Sequence, residues 1–304
     1  MSVEAKCTTS EHASATAGRP LPHGHACSRS TSTSADNVSI RVTPHIVDFA
    51  RDRSRFLAGL ETKADLQPGT LGHAGTSVSA TADRLGTGAA SCYRVDSHLI
   101  VWCDPDIEHR LRHLSGQRAL ERRDLDAAMA AAGLQHEAEA VMRALIAMPG
   151  EPPLLPPPFA TRSLDPENAE HVERIREFAS RIDPVDLEQA GLDDLDDFDE
   201  VAIAVAVDER IDNGNTAASI IAYASAMPWE WDGTFGDIAV LVDSAHRGAG
   251  LGRHVVARTT CGLLDLGRIP LYRYQLDNTA SAAVAASIGF EPMAELVRFC
   301  TAAE

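Results

Sequence analysis

The segment Arg247-Gly248-Ala249-Gly250-Leu251-Gly252-Arg253 gathers the residues best suited to hold an anion. An apolar run ends just before it at Val242, and Val255, Val256, Thr259 and Leu263 follow at helical spacing. A glycine-rich turn that opens a helix leaves backbone N–H groups without intrahelical acceptors, and the helix dipole adds partial positive charge there. Together these bind phosphate oxygens. Glycine is needed because a side chain would keep the anion away from the backbone. Two well-known phosphate loops do not fit. A P-loop ends in Gly-Lys-Ser/Thr, and no lysine occurs from Phe159 to Glu304. The dinucleotide fingerprint places a third glycine three residues after the second, where the two possible frames have Arg253 and Val255.

Groups able to move protons flank this turn. Glu230 and Asp237 precede it, Trp229 and Trp231 bracket Glu230, and Tyr272 and Tyr274 follow on an apolar run. Asp193 to Glu200 places six carboxylates in eight residues, which reads as a solvated loop in preference to a lure for cations. His23, His25 and Cys27 lack a fourth ligand at a usual spacing, so no metal site is expected. The six cysteines form no C-x-x-C pair, which fits reduced thiols in a cytoplasm.

Positioning such residues requires a scaffold. Residues 1–37 are rich in Ser, Thr, Ala, His and Gly and read as a disordered tail. Residues 38–148 read as an α+β accessory block of unassigned role. In it, Tyr93 to Cys103 form a hairpin and Asp104-Pro105 caps a helix. A second helix, Leu120 to Ala132, stops at Gly133. Residues 149–158 hold six prolines and read as a semi-rigid linker. Residues 159–304 form the second block. It is expected to contain a helix from Asp165-Pro166 to about Ile182 and a hairpin of Val201–Val207 with Ser219–Met227 around Asn213-Gly214. A buried strand Asp237–Val242, a helix Gly250–Leu266 and a strand Ile269–Leu276 follow.

The net charge of −17 is uneven: residues 159–304 carry 26 acidic and 11 basic residues, a net of −15. Such a surface repels phosphate backbones, so no nucleic-acid partner is expected, and it suits cationic small molecules or basic partners. No apolar stretch is long enough for a membrane helix, and no apolar segment follows Lys6, so neither a membrane span nor a secretory signal is expected.

Arg247-x-x-Gly250-x-Gly252, with a strand before it and a helix after it, resembles the coenzyme A pyrophosphate motif of the GNAT superfamily of N-acetyltransferases. Asn278-x-x-Ser281, a small-residue helix and Ile288-Gly289-Phe290 look like the family's closing pattern. The resemblance covers about Phe159 to Phe299. It implies an α/β fold with a mixed, mostly antiparallel twisted sheet and flanking helices. It implies acetyl-CoA as co-substrate, without a metal, and a small-molecule or peptide amine as acceptor; a homodimer stays open. Val240, Leu241 and Val242 would pair with pantetheine, and the N–H near Leu241 would polarise the thioester carbonyl, an effect worth ~3 kcal/mol in related chemistry. Arg247, Gly248, Ala249, Gly250, Leu251, Gly252, Arg253 and Asn278 would hold the rest of the coenzyme. The amine attacks directly, so Cys261 and Cys300 need no covalent role. The family's tyrosine, seven residues after the asparagine, is here Ala285. The catalytic candidates are therefore Glu230, Asp237 and Tyr272. The alternative is a non-catalytic acyl-CoA sensor or interaction module on the same scaffold.

Overall fold

The computed structural model describes residues 49–145, 154–192, 200–210, 220–228 and 235–301. The chain order is α1 (Phe49–Lys63), β1 (Gly75–Ala80), β2 (Ala89–Val95), β3 (His98–Cys103), α2 (Pro105–Leu111), α3 (Arg122–Ala131) and β4 (Leu134–Ala144). Then come β5 (Phe159–Leu164), α4 (Ala169–Ala179), α5 (Pro184–Ala190), β6 (Ala202–Asp208), β7 (Ile220–Pro228) and β8 (Phe235–Val242). The last are α6 (Leu251–Asp265), β9 (Ile269–Gln275), α7 (Thr279–Ile288) and β10 (Glu291–Thr301).

The ten strands among the described residues join one sheet in the order β1-β3-β2-β10-β4-β9-β8-β7-β6-β5. Among the described residues, only β1–β3 and β8–β9 pair in parallel. The architecture is thus a mixed, mostly antiparallel sheet with helices on both faces. Strand β4, which precedes the proline-rich stretch, lies between β9 and β10 and pairs antiparallel with both. The two blocks are therefore joined within a single sheet. Residues 146–153 of the connecting stretch lie outside the described residues, as do residues 1–37.

Alternation along each strand sorts the core onto the two faces. Val240 and Val242 of β8 and Tyr272 and Tyr274 of β9 pack with Leu251, Val255 and Val256 of α6 and with Ala285 of α7. The opposite sides of the same strands, Phe235 and Leu271, pack with Phe56 and Leu60 of α1. Leu241 and Tyr223 pack with Ile175 and Phe178 of α4. Gly236 brings α6 close to the sheet: a Cβ there would stand 2.3 Å from Leu263 Cδ2.

The Tyr93–Cys103 hairpin forms as β2 and β3. Asp104 caps α2, its carboxylate accepting from the Asp106 amide, and Gly133, at φ +79°, ends the turn after α3. Some boundaries move. The helix expected from Asp165-Pro166 begins at Ala169, because the Asn168 side chain accepts from the Glu170 amide. A separate α5 follows, capped by Asp183 ahead of Pro184, a cap-and-proline signature identical in kind to Asp104-Pro105. Gly250 is the N-cap of α6 rather than its first residue. The Val201–Met227 hairpin forms as β6 and β7, but Asn213-Gly214 lies outside the described residues.

Candidate functional site

Strands β8 and β9 pair only from Phe235↔Ile269 to Asp237↔Leu271. Beyond that point they diverge. β8 remains bonded to β7 as far as Val242, and β9 to β4 as far as Gln275, so each keeps its outer partner and exposes an inner edge. A cavity of about 710 Å³ fills the fork. Its walls are Ile238 to Val242 on one side and Tyr272 to Gln275 on the other, and α7 contributes Ser281 and Val284.

The glycine turn closes the open end. Gly248 and Gly250 sit at φ +81° and +77°, conformations that side-chain-bearing residues rarely adopt, and a Cβ at either would meet nothing within 4 Å. Open space therefore faces this backbone. No side chain caps α6, so its first amides point outward with no intrahelical acceptor. Gly248, Gly250, Leu251, Gly252 and Arg253 line the cavity, as do Val240, Leu241 and Val242. Ala249 is exposed but is not in the lining. Leu251 buries its side chain in the core and offers only its backbone. Gly252 lets α6 approach β8, with Val242 Cγ2 at 3.4 Å from a Cβ built there. Arg253 is exposed in the first turn of α6.

Arg247 has a partner that the motif did not indicate: its guanidinium pairs with Asp186 of α5 at 2.6 Å. Asp186, Gln189 and Ala190 form part of the lining. Positive potential at the turn thus rests on the helix terminus and Arg253, with Arg247 half neutralised. Asn278 also lines the cavity, but its side-chain carbonyl accepts from the Ser281 amide and so caps α7.

Of the proton-moving candidates, Tyr272 lines the cavity one residue beyond the last β8–β9 pair. It is 1% exposed, and its hydroxyl faces Ser281 of α7, which lines the same cavity. Burial pushes its pKa up to about 12. Asp237 marks the foot of the fork. Its Oδ2 accepts from Arg273 Nε at 2.7 Å, while Oδ1 is buried and has no hydrogen-bond partner among the described residues. Arg273 reaches the lining and Asp237 sits just beneath it. Glu230, Trp229 and Trp231 lie outside the described residues. Ala285 is fully buried where α7 packs on the sheet, and Cys261 is a buried core residue of α6.

Glu200, the last residue of the acidic run, is 6% exposed and accepts from Tyr223 at 3.3 Å and Ser225 at 3.4 Å. Burial and this carboxylate raise the Tyr223 pKa well above its ordinary value. The remaining run, 193–199, lies outside the described residues. No group of His, Cys, Asp and Glu suited to a metal occurs among the described residues, and none of their helices is long and apolar enough to cross a membrane.

Residues 224–299 match the model of a family described as FR47-like protein. No curated protein matches the chain. Among solved structures, an acetyltransferase of the GNAT family from Colwellia psychrerythraea shares 13% identity over 84% of this chain and 98% of its own, with a TM-score of 0.43. A GCN5-related N-acetyltransferase from Kribbella flavida shares 17% over 59% of this chain and 64% of its own, with a TM-score of 0.42, so less than two thirds of that protein is spanned. The yncA protein of Salmonella typhimurium, solved with its cofactor acetyl-CoA, shares 20% over 48% of this chain and 95% of its own, with a TM-score of 0.34. The family match falls on the strand, glycine turn, helix and closing motif that build the cavity, and over residues 224–299 the chain is similar to the FR47-like family.

Proposed function

We propose that the protein transfers an acetyl group from acetyl-CoA to a primary amine by direct attack within a ternary complex. The observation that carries this reading is the fork between β8 and β9, with a glycine-rich helix N-terminus at its open end. The turn amides and Arg253 would take the pyrophosphate, and the free edge at Val240 to Val242 would pair with the pantetheine arm. The thioester carbonyl then lies toward the foot of the fork, beside Tyr272 and above Asp237.

Each of these side chains has a chemical role there. The amine nitrogen bonds to the carbonyl carbon and the C–S bond breaks. The amine proton passes to the bare Oδ1 of Asp237, directly or through a water. Tyr272 keeps its proton throughout neutral pH, because its pKa is pushed up to about 12, and donates a hydrogen bond to the departing thiolate. It occupies the role vacated at Ala285, reaching the cavity from β9 instead of α7. Proximity and orientation supply most of the acceleration, and no protein nucleophile is required. The net −15 of residues 159–304 favours a cationic acceptor, either a small polyamine-like molecule or a basic peptide.

Thiol release from acetyl-CoA in the presence of a panel of amines tests this. Turnover dependent on amine, and lost in Asp237→Asn or reduced in Tyr272→Phe, is the expected result. Tight acetyl-CoA binding without turnover on any amine would transfer the case to the sensor reading.

A further inference from the structure

Strand β4 places a side chain of the N-terminal block against a residue that lines this cavity. Val141 and Arg143 of β4 stand opposite Tyr274 and Tyr272 of β9. Arg143 Nε donates to the Tyr274 hydroxyl oxygen at 2.6 Å, its Nη1 donates to the Phe290 carbonyl at 3.1 Å, and its guanidinium carbon lies 5.8 Å from the centre of the Tyr274 ring. The guanidinium is thus clamped between the tyrosine and the backbone that opens β10. Tyr274 lines the cavity, whereas Arg143 does not reach it.

An arginine can only donate, so the Tyr274 oxygen must be the acceptor in this contact. One lone pair is used, and the hydroxyl hydrogen is directed elsewhere. Tyr274 is 8% exposed and donates to no other group among the described residues. Tyr274 itself is part of the cavity lining. Tyr274 also lies two residues farther along β9 than Tyr272. Because β8 and β9 run parallel, this places it nearer the glycine turn, beside the arm of the coenzyme rather than its thioester.

We infer that Arg143 is a positioning residue that turns the Tyr274 hydroxyl into a hydrogen-bond donor for an amide carbonyl of the acyl-CoA arm, so that the N-terminal block builds part of the coenzyme site. The inference rests on the acetyl-CoA reading above. It gives the N-terminal block a role: its strand β4 pairs with β9 in the sheet, and its Arg143 sets the polarity of one cavity wall.

Calorimetric titration of the full chain with acetyl-CoA and with adenosine 3′,5′-bisphosphate, which lacks the arm, tests it. Tyr274→Phe should weaken acetyl-CoA about fivefold to tenfold, the loss of one hydrogen bond, and leave the bisphosphate unchanged. In turnover, KM for acetyl-CoA should rise with little change in kcat. Arg143→Met should weaken acetyl-CoA by a smaller factor, Arg143→Lys should restore part of it, and Arg143→Met should add nothing once Tyr274 is Phe. If Arg143→Met does not fold, Tyr274→Phe and Arg143→Lys still decide the matter. Equal acetyl-CoA affinity in Tyr274→Phe and wild type overturns the inference, as does an equal loss for both ligands or additive effects in the double variant. Wild-type protein that binds the bisphosphate and acetyl-CoA equally also overturns it, while wild-type protein that binds neither removes the acetyl-CoA reading itself.

Discussion

Gly250→Asp isolates the anion site from the fold. Gly250 sits at φ +77°, and a Cβ added there would meet nothing within 4 Å, so aspartate would find no steric obstacle in the free protein. Its cost is the left-handed backbone, ~1 kcal/mol for a residue with a short polar side chain, offset by a few tenths for a better cap. The cost to the ligand is far larger. A carboxylate ~5 Å from a diphosphate charge, at an effective dielectric constant of ~20, repels it by about 3 kcal/mol. That raises the dissociation constant roughly a hundredfold. At 100 times the wild-type constant, acetyl-CoA should stabilise wild type by ~2.7 kcal/mol and the variant by only ~0.4. At about 2 °C per kcal/mol for a chain of this size, a wild-type Tm shift of about 5 °C falls to about 1 °C. Gly116, also at φ +77° with open space around it, supplies the control. Gly116→Asp carries the same backbone strain and should retain the full ligand shift. If Gly250→Asp keeps more than half of the shift, the turn does not hold the coenzyme phosphates.

The other predictions concern packing, pH, salt and the role of β4. Gly236→Ala should cost ~1–3 kcal/mol in urea unfolding, because its methyl would overlap the fully buried Leu263, 2.3 Å away at Cδ2. Alkaline titration should unmask Tyr272: its pKa is raised from 10.0 to about 12, so its stabilising contribution is complete below pH 10 and is lost as pH rises toward 12. Tyr272→Phe should therefore flatten the fall in stability over that window, and an unchanged slope would contradict the burial argument. For a cationic acceptor, KM should rise with added salt, since the Debye length is only ~8 Å at physiological ionic strength, while a neutral acceptor should barely respond. A best acceptor that is acidic, with KM indifferent to salt, would reduce the acidity to a solubility feature. Residues 154–304 expressed alone should fail to fold cooperatively, because β9 and β10 would lose the strand between them; a stable fragment would show that β4 is dispensable.

What could be read along the chain was local. Arg247 to Arg253 announced an anion site because a glycine turn and a helix start occupy consecutive residues and their physics needs no distant partner. Asp104-Pro105 and the β2–β3 hairpin were legible for the same reason, and Asp183-Pro184 carried an equal signal for α5. Tertiary structure decided the rest. The strand behind the fork's far wall is Leu134–Ala144, whose mixed burial gives no clean alternation, and nothing near residue 140 indicates pairing with residues 271–275 and 291–301. Only that pairing brings Arg143 to Tyr274. Arg247 looked like a free cation until α5 placed Asp186 beside it, and Glu200 looked like one of a solvated acidic run until Tyr223 and Ser225 enclosed it. Strand register and helix docking are non-local: they depend on which faces can be buried together, a property of the whole sheet that no short segment encodes.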